Sequence, residues 1–247
     1  MKRTITTSVL GVIAIMLYFT NFVSAAIYPV YVCGDATVTL KPAFAETLAP
    51  GDKVIWSEVG GSAVEKTSAD PNFTTPDNLS AGVHQYTVHV ISASPAECKG
   101  DVSDVYEIYK LPETTLALSN PSNAKYCEEN SGSGSAPVTS SVITATATPA
   151  QALPEGVGYI YTWAVTKDGS AAAIAGVGAD DSGTGTTNVF TMNATAKGVY
   201  AFTASAKYSV PSGSVLKSAS GSGCEAISGS KTVEVTPKPG KPTIAIE

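Results

Sequence analysis

The amino-acid sequence carries the same order of features twice, and this internal repetition limits the possible folds more than any other property of the chain. Each half contains a cysteine, a strand-like segment, a tryptophan strand, a strand with glycine followed by tyrosine, a second cysteine and a closing strand. Cys33 opens the first series and Cys127 opens the second. Because a repeated sequence pattern builds a repeated structural unit, we predict one module over residues 26–112 and a second over residues 113–236.

The segments that follow the two modules also match each other. "PETTLAL" (residues 112–118) enters the second module and "PGKPTIAI" (residues 239–246) follows it. Both combine proline with threonine, then Leu or Ile, then alanine, then Leu or Ile. By analogy, we predict that residues 237–247 are a linker and the start of a third repeat. Two explanations are open: the chain is a fragment of a longer protein, which we favour, or this last strand packs at the edge of another subunit.

Alternation of apolar and polar residues predicts β-strands in both halves. Tyr86 and Val88 share one face of "HQYTVHV", and Tyr161 and Trp163 share one face of "GYIYTWAV". One face of such a strand covers a core while the other meets solvent. Only 15% of the residues are charged, and the abundant Thr, Ser, Val and Gly suit short strands joined by turns. We therefore predict an all-β fold of two tandem antiparallel β-sandwiches. The expected core anchors are Trp56, Trp163, Tyr86 and Tyr200.

The N-terminus has the features of a cleaved secretory signal. Two basic residues precede an apolar run over residues 9–17, and Val23 and Ala25 stand at the −3 and −1 positions of a cleavage site. A single membrane anchor is the alternative, but the uninterrupted run is too short to span a bilayer comfortably. We predict that residues 1–25 are removed, and that the mature chain is secreted or displayed at the cell surface without a membrane segment.

Four cysteines in an exported chain predict two disulfides. Three pairings are possible, and sequential pairing within each half is the simplest. No two cysteines are close enough in sequence to form a CxxC zinc knuckle, so disulfides are favoured over zinc. The residues concerned are Cys33, Cys98, Cys127 and Cys224.

Several motifs together suggest a family. The order of cysteine, tryptophan and cysteine recurs, Tyr161 stands two residues before Trp163, further strands begin at Gly82 and Gly198, and both linkers contain proline. Over residues 27–247 this pattern resembles the Ig-like and PKD-like repeat modules of large secreted bacterial surface proteins. The resemblance implies sandwiches that act as spacers or adhesive stalks, with other repeats of the same longer chain as partners.

The sequence departs from the antibody-type pattern in its cysteine spacing. In that pattern the second cysteine lies two residues after the strand tyrosine, whereas Val88 stands two residues after Tyr86 and Cys98 follows later. We therefore expect each disulfide to hold an edge or an end loop of its sandwich, without crossing the core.

The chain contains no recognisable catalytic or cofactor-binding pattern. His84 and His89 differ in strand parity, so we expect two surface histidines on opposite faces that do not form one site. A net charge of −6 without a basic patch argues against nucleic-acid binding. Asp180 and Asp181 in "GADDSGTG" are weak candidate calcium ligands, but they lack the alternating ligand spacing of a calcium loop. We predict a non-enzymatic protein without a cofactor.

"LPETT" (residues 111–115) begins like a sortase anchoring signal. Such a signal needs glycine where Thr115 stands, and here the whole second module follows. Proline at the end of a strand stiffens the chain and removes a backbone donor. We interpret this segment as a hinge between two modules.

These features favour one functional hypothesis and leave one alternative. The chain is predicted to be a non-catalytic extracellular repeat protein that serves as a stalk or adhesive segment. The alternative is a carbohydrate-binding module of a secreted polysaccharide-processing system, in which exposed aromatic residues bind a surface polysaccharide. A surface polysaccharide or a protein is the expected ligand. The aromatic residues considered are Tyr106, Tyr109 and Tyr208.

Overall fold

The fold is described from a computed structural model. It describes residues 27–93, 95, 97–128, 139–219, 224–238 and 240–244. The predicted signal peptide, residue 239 and residues 245–247 of the predicted third repeat lie outside this set. Within it, the regular structure consists of eighteen β-strands and one short 3-10 turn, Ile174–Gly176. The predicted all-β fold class is confirmed.

The first seven strands belong to the first half of the chain and the other eleven to the second. The first seven are β1 (Val30–Cys33), β2 (Thr39–Leu40), β3 (Lys53–Glu58), β4 (Ala63–Thr67), β5 (Phe73–Thr74), β6 (Gly82–Ile91) and β7 (Tyr106–Lys110). The others are β8 (Thr114–Leu118), β9 (Lys125–Cys127), β10 (Ser141–Pro149), β11 (Gly158–Lys167), β12 (Ser170–Ala172), β13 (Gly178–Asp180), β14 (Thr187–Met192), β15 (Gly198–Ser209), β16 (Val215–Ser218), β17 (Glu225–Ile227) and β18 (Lys231–Thr236).

The sheets of the two halves have the same strand order. The larger sheet runs β1-β7-β6-β3-β4 in the first half and β9-β18-β15-β11-β12 in the second. The smaller sheet is β2-β5 in the first half and β8-β10-β14-β13 in the second. The sandwiches are not purely antiparallel, because β1 runs parallel to β7 and β9 runs parallel to β18. The repeat seen in the sequence is therefore a repeat of topology.

A hydrogen-bond detail also recurs beside the long strand of each half. The N–H of Val88 in β6 donates to the Ser103 hydroxyl at 3.0 Å, and the N–H of Ala204 in β15 donates to the Ser228 hydroxyl at 2.9 Å. Each serine N–H in turn donates to the carbonyl of the same partner residue. These pairs give a residue-level correspondence between the two halves.

Each sandwich is centred on a tryptophan that contacts an aromatic residue of the opposite sheet. Trp56 stacks on Phe73 with ring centroids 5.7 Å apart, and Trp163 packs against Phe190 at 5.2 Å. The predicted anchors Trp56, Trp163, Tyr86 and Tyr200 are all buried. The larger buried cluster belongs to the second half, and it also takes in residues of the first half.

Candidate functional site

The junction between the two halves is the most distinctive part of the molecule, and β1 lies at its centre. This strand is hydrogen-bonded to β7 on one side and to β16 on the other, and its four residues are all buried. Val30 and Val32 pack in the core of the first half, whereas Tyr31 and Cys33 pack in the core of the second. Because side chains alternate across a strand, one short strand belongs to both cores.

Strand β16 of the second half enters the first half's sheet. It pairs in parallel with β1, from Val30 opposite Val215 to Cys33 opposite Ser218. The Ser214 hydroxyl donates to the Tyr28 carbonyl at 2.8 Å, which fixes the start of this pairing. A sheet thus continues from one half of the chain into the other.

A disulfide between Cys33 and Cys224 closes the same junction, with a Cα–Cα distance of 5.4 Å. The predicted sequential pairing, Cys33 with Cys98 and Cys127 with Cys224, is therefore wrong. Cys98 and Cys127 are exposed and lie outside this bridge.

Sequential pairing fails because the two cysteines of each half lie at opposite ends of the large sheet of that half. Cys127 is paired with Thr236, next to Val235, which faces Gly198 at the start of β15. Cys224 accepts a hydrogen bond from the N–H of Tyr208, near the end of β15. Ten residues of extended strand separate these ends by about 33 Å, far beyond the reach of a disulfide.

The segment interpreted as a hinge is held by contacts from both halves. Leu111 is buried, and its N–H donates to the Val32 carbonyl at 2.8 Å. The Tyr208 hydroxyl donates to the Pro112 carbonyl at 2.7 Å, and the Thr114 and Tyr159 hydroxyls are 2.9 Å apart. The connection is therefore packed and does not act as a free hinge.

Tyrosines gather on the second half's side of β1. The ring of Tyr28 lies 5.9 Å from that of Tyr31 and 5.0 Å from that of Tyr109. Burial raises the pKa of Tyr28 and of Tyr109 above the ordinary value, with neighbouring ionisable groups acting in the same direction. These hydroxyls therefore stay neutral at physiological pH, which suits a packed interface.

A cavity of about 730 Å³ opens beside the linker, between the two halves. Lys110 lines it, and its side chain donates to the Gly34 carbonyl. Burial lowers the pKa of Lys110, while Asp35 and Asp77 act in the opposite direction. Lys110 therefore anchors the turn after β1 to β7.

The two candidate calcium ligands face an amide. The Asn188 side-chain N–H group donates to Asp181 at 2.8 Å and to Asp180 at 3.2 Å, while the Asn188 oxygen accepts from the Trp163 indole at 2.6 Å. Asn188 is fully buried, so the two acids complete a hydrogen-bonded network that orients the tryptophan. Among the residues that the structure describes, no group of three or more His, Cys, Asp or Glu could hold a metal ion.

The histidines do not form a common site. His84 lies 2.7 Å from Glu58 and 2.8 Å from the Ser80 carbonyl, and only 11% of its side chain is exposed. The expectation of a surface histidine is therefore wrong for His84. His89 makes neither of these contacts. Burial lowers the pKa of His89, and the charge of Lys99 lowers it further.

The three tyrosines considered for carbohydrate binding do not form an exposed face. Tyr208 is buried against Tyr159, and Tyr109 is half-buried in the junction cluster. Tyr106 alone of the three is exposed, at 40%. The coplanar aromatic surface on which that hypothesis depends is not formed by these residues.

Comparison with known proteins gives structural similarity only. No family model matches the chain, and no curated protein matches it. A tandem fragment of titin aligns with 84% of this chain at 12% identity and a TM-score of 0.33, and an I-band fragment of titin aligns with 85% at 13% identity and a TM-score of 0.45. The chain spans 63% of the length of each titin fragment.

A bacterial structure is also among the similar ones. Invasin, described as a bacterial integrin-binding protein, aligns with 87% of this chain and 38% of its own length, at 16% identity and a TM-score of 0.29. These values are too low to support a functional conclusion.

Within the described residues, no helix has the length and hydropathy needed to cross a membrane.

Proposed function

We propose that the chain is an extracellular segment that holds two β-sandwiches end to end as one stiff unit. In this role it serves as a non-catalytic stalk or adhesive segment of a secreted or surface-displayed protein. The observation that carries the proposal is the junction, where a shared β-sheet and the Cys33–Cys224 disulfide connect the two halves.

A stalk projects its tip only if successive modules keep a fixed direction. Domains joined by a linker and a modest interface move relative to each other by default. Here β1 is buried on both faces, Leu111 is buried in the linker, and β16 extends the first half's sheet. Bending at this junction would separate paired strands and expose apolar side chains to water, so the junction favours one orientation.

Small-angle X-ray scattering of the oxidised chain, taken on the monomer fraction separated by size-exclusion chromatography, tests this role. We expect a profile that a single orientation of the two halves explains. Leu216 packs on the second core from β16, so Leu216→Asp combined with Cys33→Ser and Cys224→Ser should broaden the distribution of interatomic distances. The matched control, Cys98→Ser with Cys127→Ser, should leave the profile unchanged.

Two results would count against the proposal. A wild-type profile that requires many orientations would remove the stiff junction. Saturable quenching of tryptophan fluorescence by an oligosaccharide would favour a carbohydrate-binding module instead.

A further inference from the structure

The second sandwich contains a strand that has no counterpart among the described residues of the first. Strand β8, Thr114–Leu118, pairs antiparallel with residues 145–149 of β10. Its Leu116 is buried in the core, and the strand packs beside β15 and β17. In this position β8 closes one side of the smaller sheet.

The corresponding side of the first sandwich is an open groove. Leu40 faces Phe73 and Ile143 faces Phe190, so Leu40 corresponds to Ile143. In the same alignment, residues 42–46 correspond to residues 145–149 of β10, which are the residues that pair with β8. Within the described chain, β2 is hydrogen-bonded to β5 alone, and a groove of about 450 Å³ lies beside it. Residues that line this groove include Val38, Leu40, Trp56, Tyr86, Val88 and Tyr106.

An unpaired polar atom marks the same groove. Tyr86 is 1% exposed, and its hydroxyl is a buried side-chain polar atom with no hydrogen-bond partner among the described residues. The corresponding position in the second sandwich is Phe202, because Trp56 faces Val88 as Trp163 faces Ala204. A buried hydroxyl without a partner is costly, and a strand laid in the groove carries backbone carbonyls that can accept from it.

Among the described residues, no strand precedes β1 in the first sandwich. Val32 pairs with Lys110 in the first half, and Tyr126 pairs with Val235 in the second half. These two pairs are equivalent, so Val32 corresponds to Tyr126. The segment equivalent to β8 is therefore residues 20–24, which fall within the predicted signal peptide. The sequence "TIAIE" at 243–247 repeats the pattern of β8, and Ile244 in it is 96% exposed.

We propose that the groove beside β2 is a strand-acceptor site and that its occupant is residues 243–247 of a second copy of this chain. Strand addition to an open sheet edge gains backbone hydrogen bonds, and alternate side chains enter the pockets. Ile244 and Ile246 take the places that Leu116 and Leu118 of β8 take in the second sandwich. Because the donor and acceptor surfaces differ, the contact joins copies head to tail. It does not depend on the stalk role.

The same docking brings two cysteines together. At the internal junction, Cys33 lies in the half that precedes β8 in the chain, and Cys224 lies in the sandwich that contains β8. Cys127 of the donor copy is equivalent to Cys33, since both end the first strand of a large sheet. Cys98 of the acceptor is equivalent to Cys224, because their carbonyls accept from the N–H groups of Ser92 and Tyr208.

A disulfide between Cys127 and Cys98 needs an oxidant, which oxidised glutathione supplies. The Cys127 thiolate displaces one glutathione thiolate and forms a mixed disulfide. The Cys98 thiolate then attacks the Cys127 sulfur and releases the second glutathione. Two protein thiols become one disulfide while one glutathione disulfide becomes two thiols.

Sedimentation of the chain from Ala26 to Glu247 tests the proposal with two variants. Ile244→Asp with Ile246→Asp disables the donor strand, and Ile244→Val with Ile246→Val is its control. Val38 bonds to Thr75 on the β5 side, and continuing the alternation of β2 (Thr39–Leu40) through residue 43 would place the Ala43 N–H at the open edge. Ala43→Pro removes that donor, and Ala43→Ser is its control.

We expect the wild-type mass to rise with concentration, and each disabling variant to self-associate at least about tenfold more weakly. An equimolar mixture of the two disabled variants should form dimers and nothing larger, since one intact donor strand and one intact groove remain. With oxidised glutathione, the wild type should give a disulfide-linked ladder that Cys127→Ser abolishes.

The alternatives give distinct results. A wild-type chain that stays monomeric up to about 100 μM overturns the proposal, because even weak specific contacts form in that range. Oligomers that persist in both disabled variants show a different interface and overturn it equally. Circular dichroism confirms that each variant is folded, so failure of the mixture to dimerise then also refutes it.

Discussion

The Cys33–Cys224 disulfide should shield strands β2 to β16 from a force applied to the ends of the chain. The bridge encloses 191 residues, from the end of β1 to the start of β17. Tension applied at the two termini therefore passes through the sulfur atoms and bypasses β2 to β16. At about 3.4 Å per extended residue, the bridge hides roughly 650 Å of chain length.

Single-molecule pulling measures this length. We expect the oxidised wild type to extend only by the segments outside the bridge, which include β1, β17 and β18. Cys33→Ser should add roughly 650 Å of contour length, released as the two sandwiches unfold. Cys98→Ser should leave the extension of the oxidised chain unchanged.

The competing sequential pairing predicts a different length. A bridge between Cys33 and Cys98 would enclose 65 residues, so Cys33→Ser would release only about 220 Å. That value, or an extension that does not depend on Cys33, would refute the inter-half disulfide.

Three further changes test the packing of the sandwiches. Asn188→Ala leaves the indole N–H of Trp163 buried without its acceptor, and denaturant titration should show a loss of about 1–3 kcal/mol. Burial raises the pKa of Tyr126 to about 12, above the ordinary 10. The stability that the neutral Tyr126 hydroxyl contributes is therefore present below pH 10, and it is lost as the pH rises towards 12. Tyr126→Phe should make thermal stability less dependent on pH across that window, and an unchanged slope would contradict this. Ser228→Ala should cost about 1 kcal/mol in thermal denaturation, and Ser103→Ala less, because the Ser228 bond is buried and the Ser103 bond is exposed.

The strand pattern and the repeat were readable from the sequence because they depend on local alternation. Tyr86 and Trp163 fall on apolar faces that the structure buries. The matching topology follows from the shared order of cysteine, tryptophan and glycine-to-tyrosine strands. These features need no knowledge of how the two halves meet.

The junction could not be read in the same way. Strand β16 lies in the segment "SVLKSAS", whose mixed polarity gives no strong strand signal. Sequential cysteine pairing was simplest in sequence. In the structure, however, the two cysteines of each half lie at opposite ends of a long strand, and ten residues of extended strand hold them far apart. Cys33 and Cys224 meet because β16 of the second half pairs with β1 of the first half.

Asn188 shows a second limit of sequence reasoning. It lies within β14 between Thr187 and Val189 and is fully buried. The sequence drew attention to the acids Asp180 and Asp181, whereas the residue that uses them is the asparagine seven and eight positions later. Its part in orienting Trp163 becomes visible only when the two sheets face each other.

The place of β1 in the chain sets the order in which the molecule can complete its folding. Its neighbour β16 ends at residue 218, and the sulfur partner of Cys33 is residue 224. Synthesis from the N-terminus therefore produces the first half with one edge of β1 uncovered and the Cys33 thiol without its partner. That half reaches its final form only after almost all of the described chain has been made, and premature oxidation of Cys33 would prevent its disulfide with Cys224.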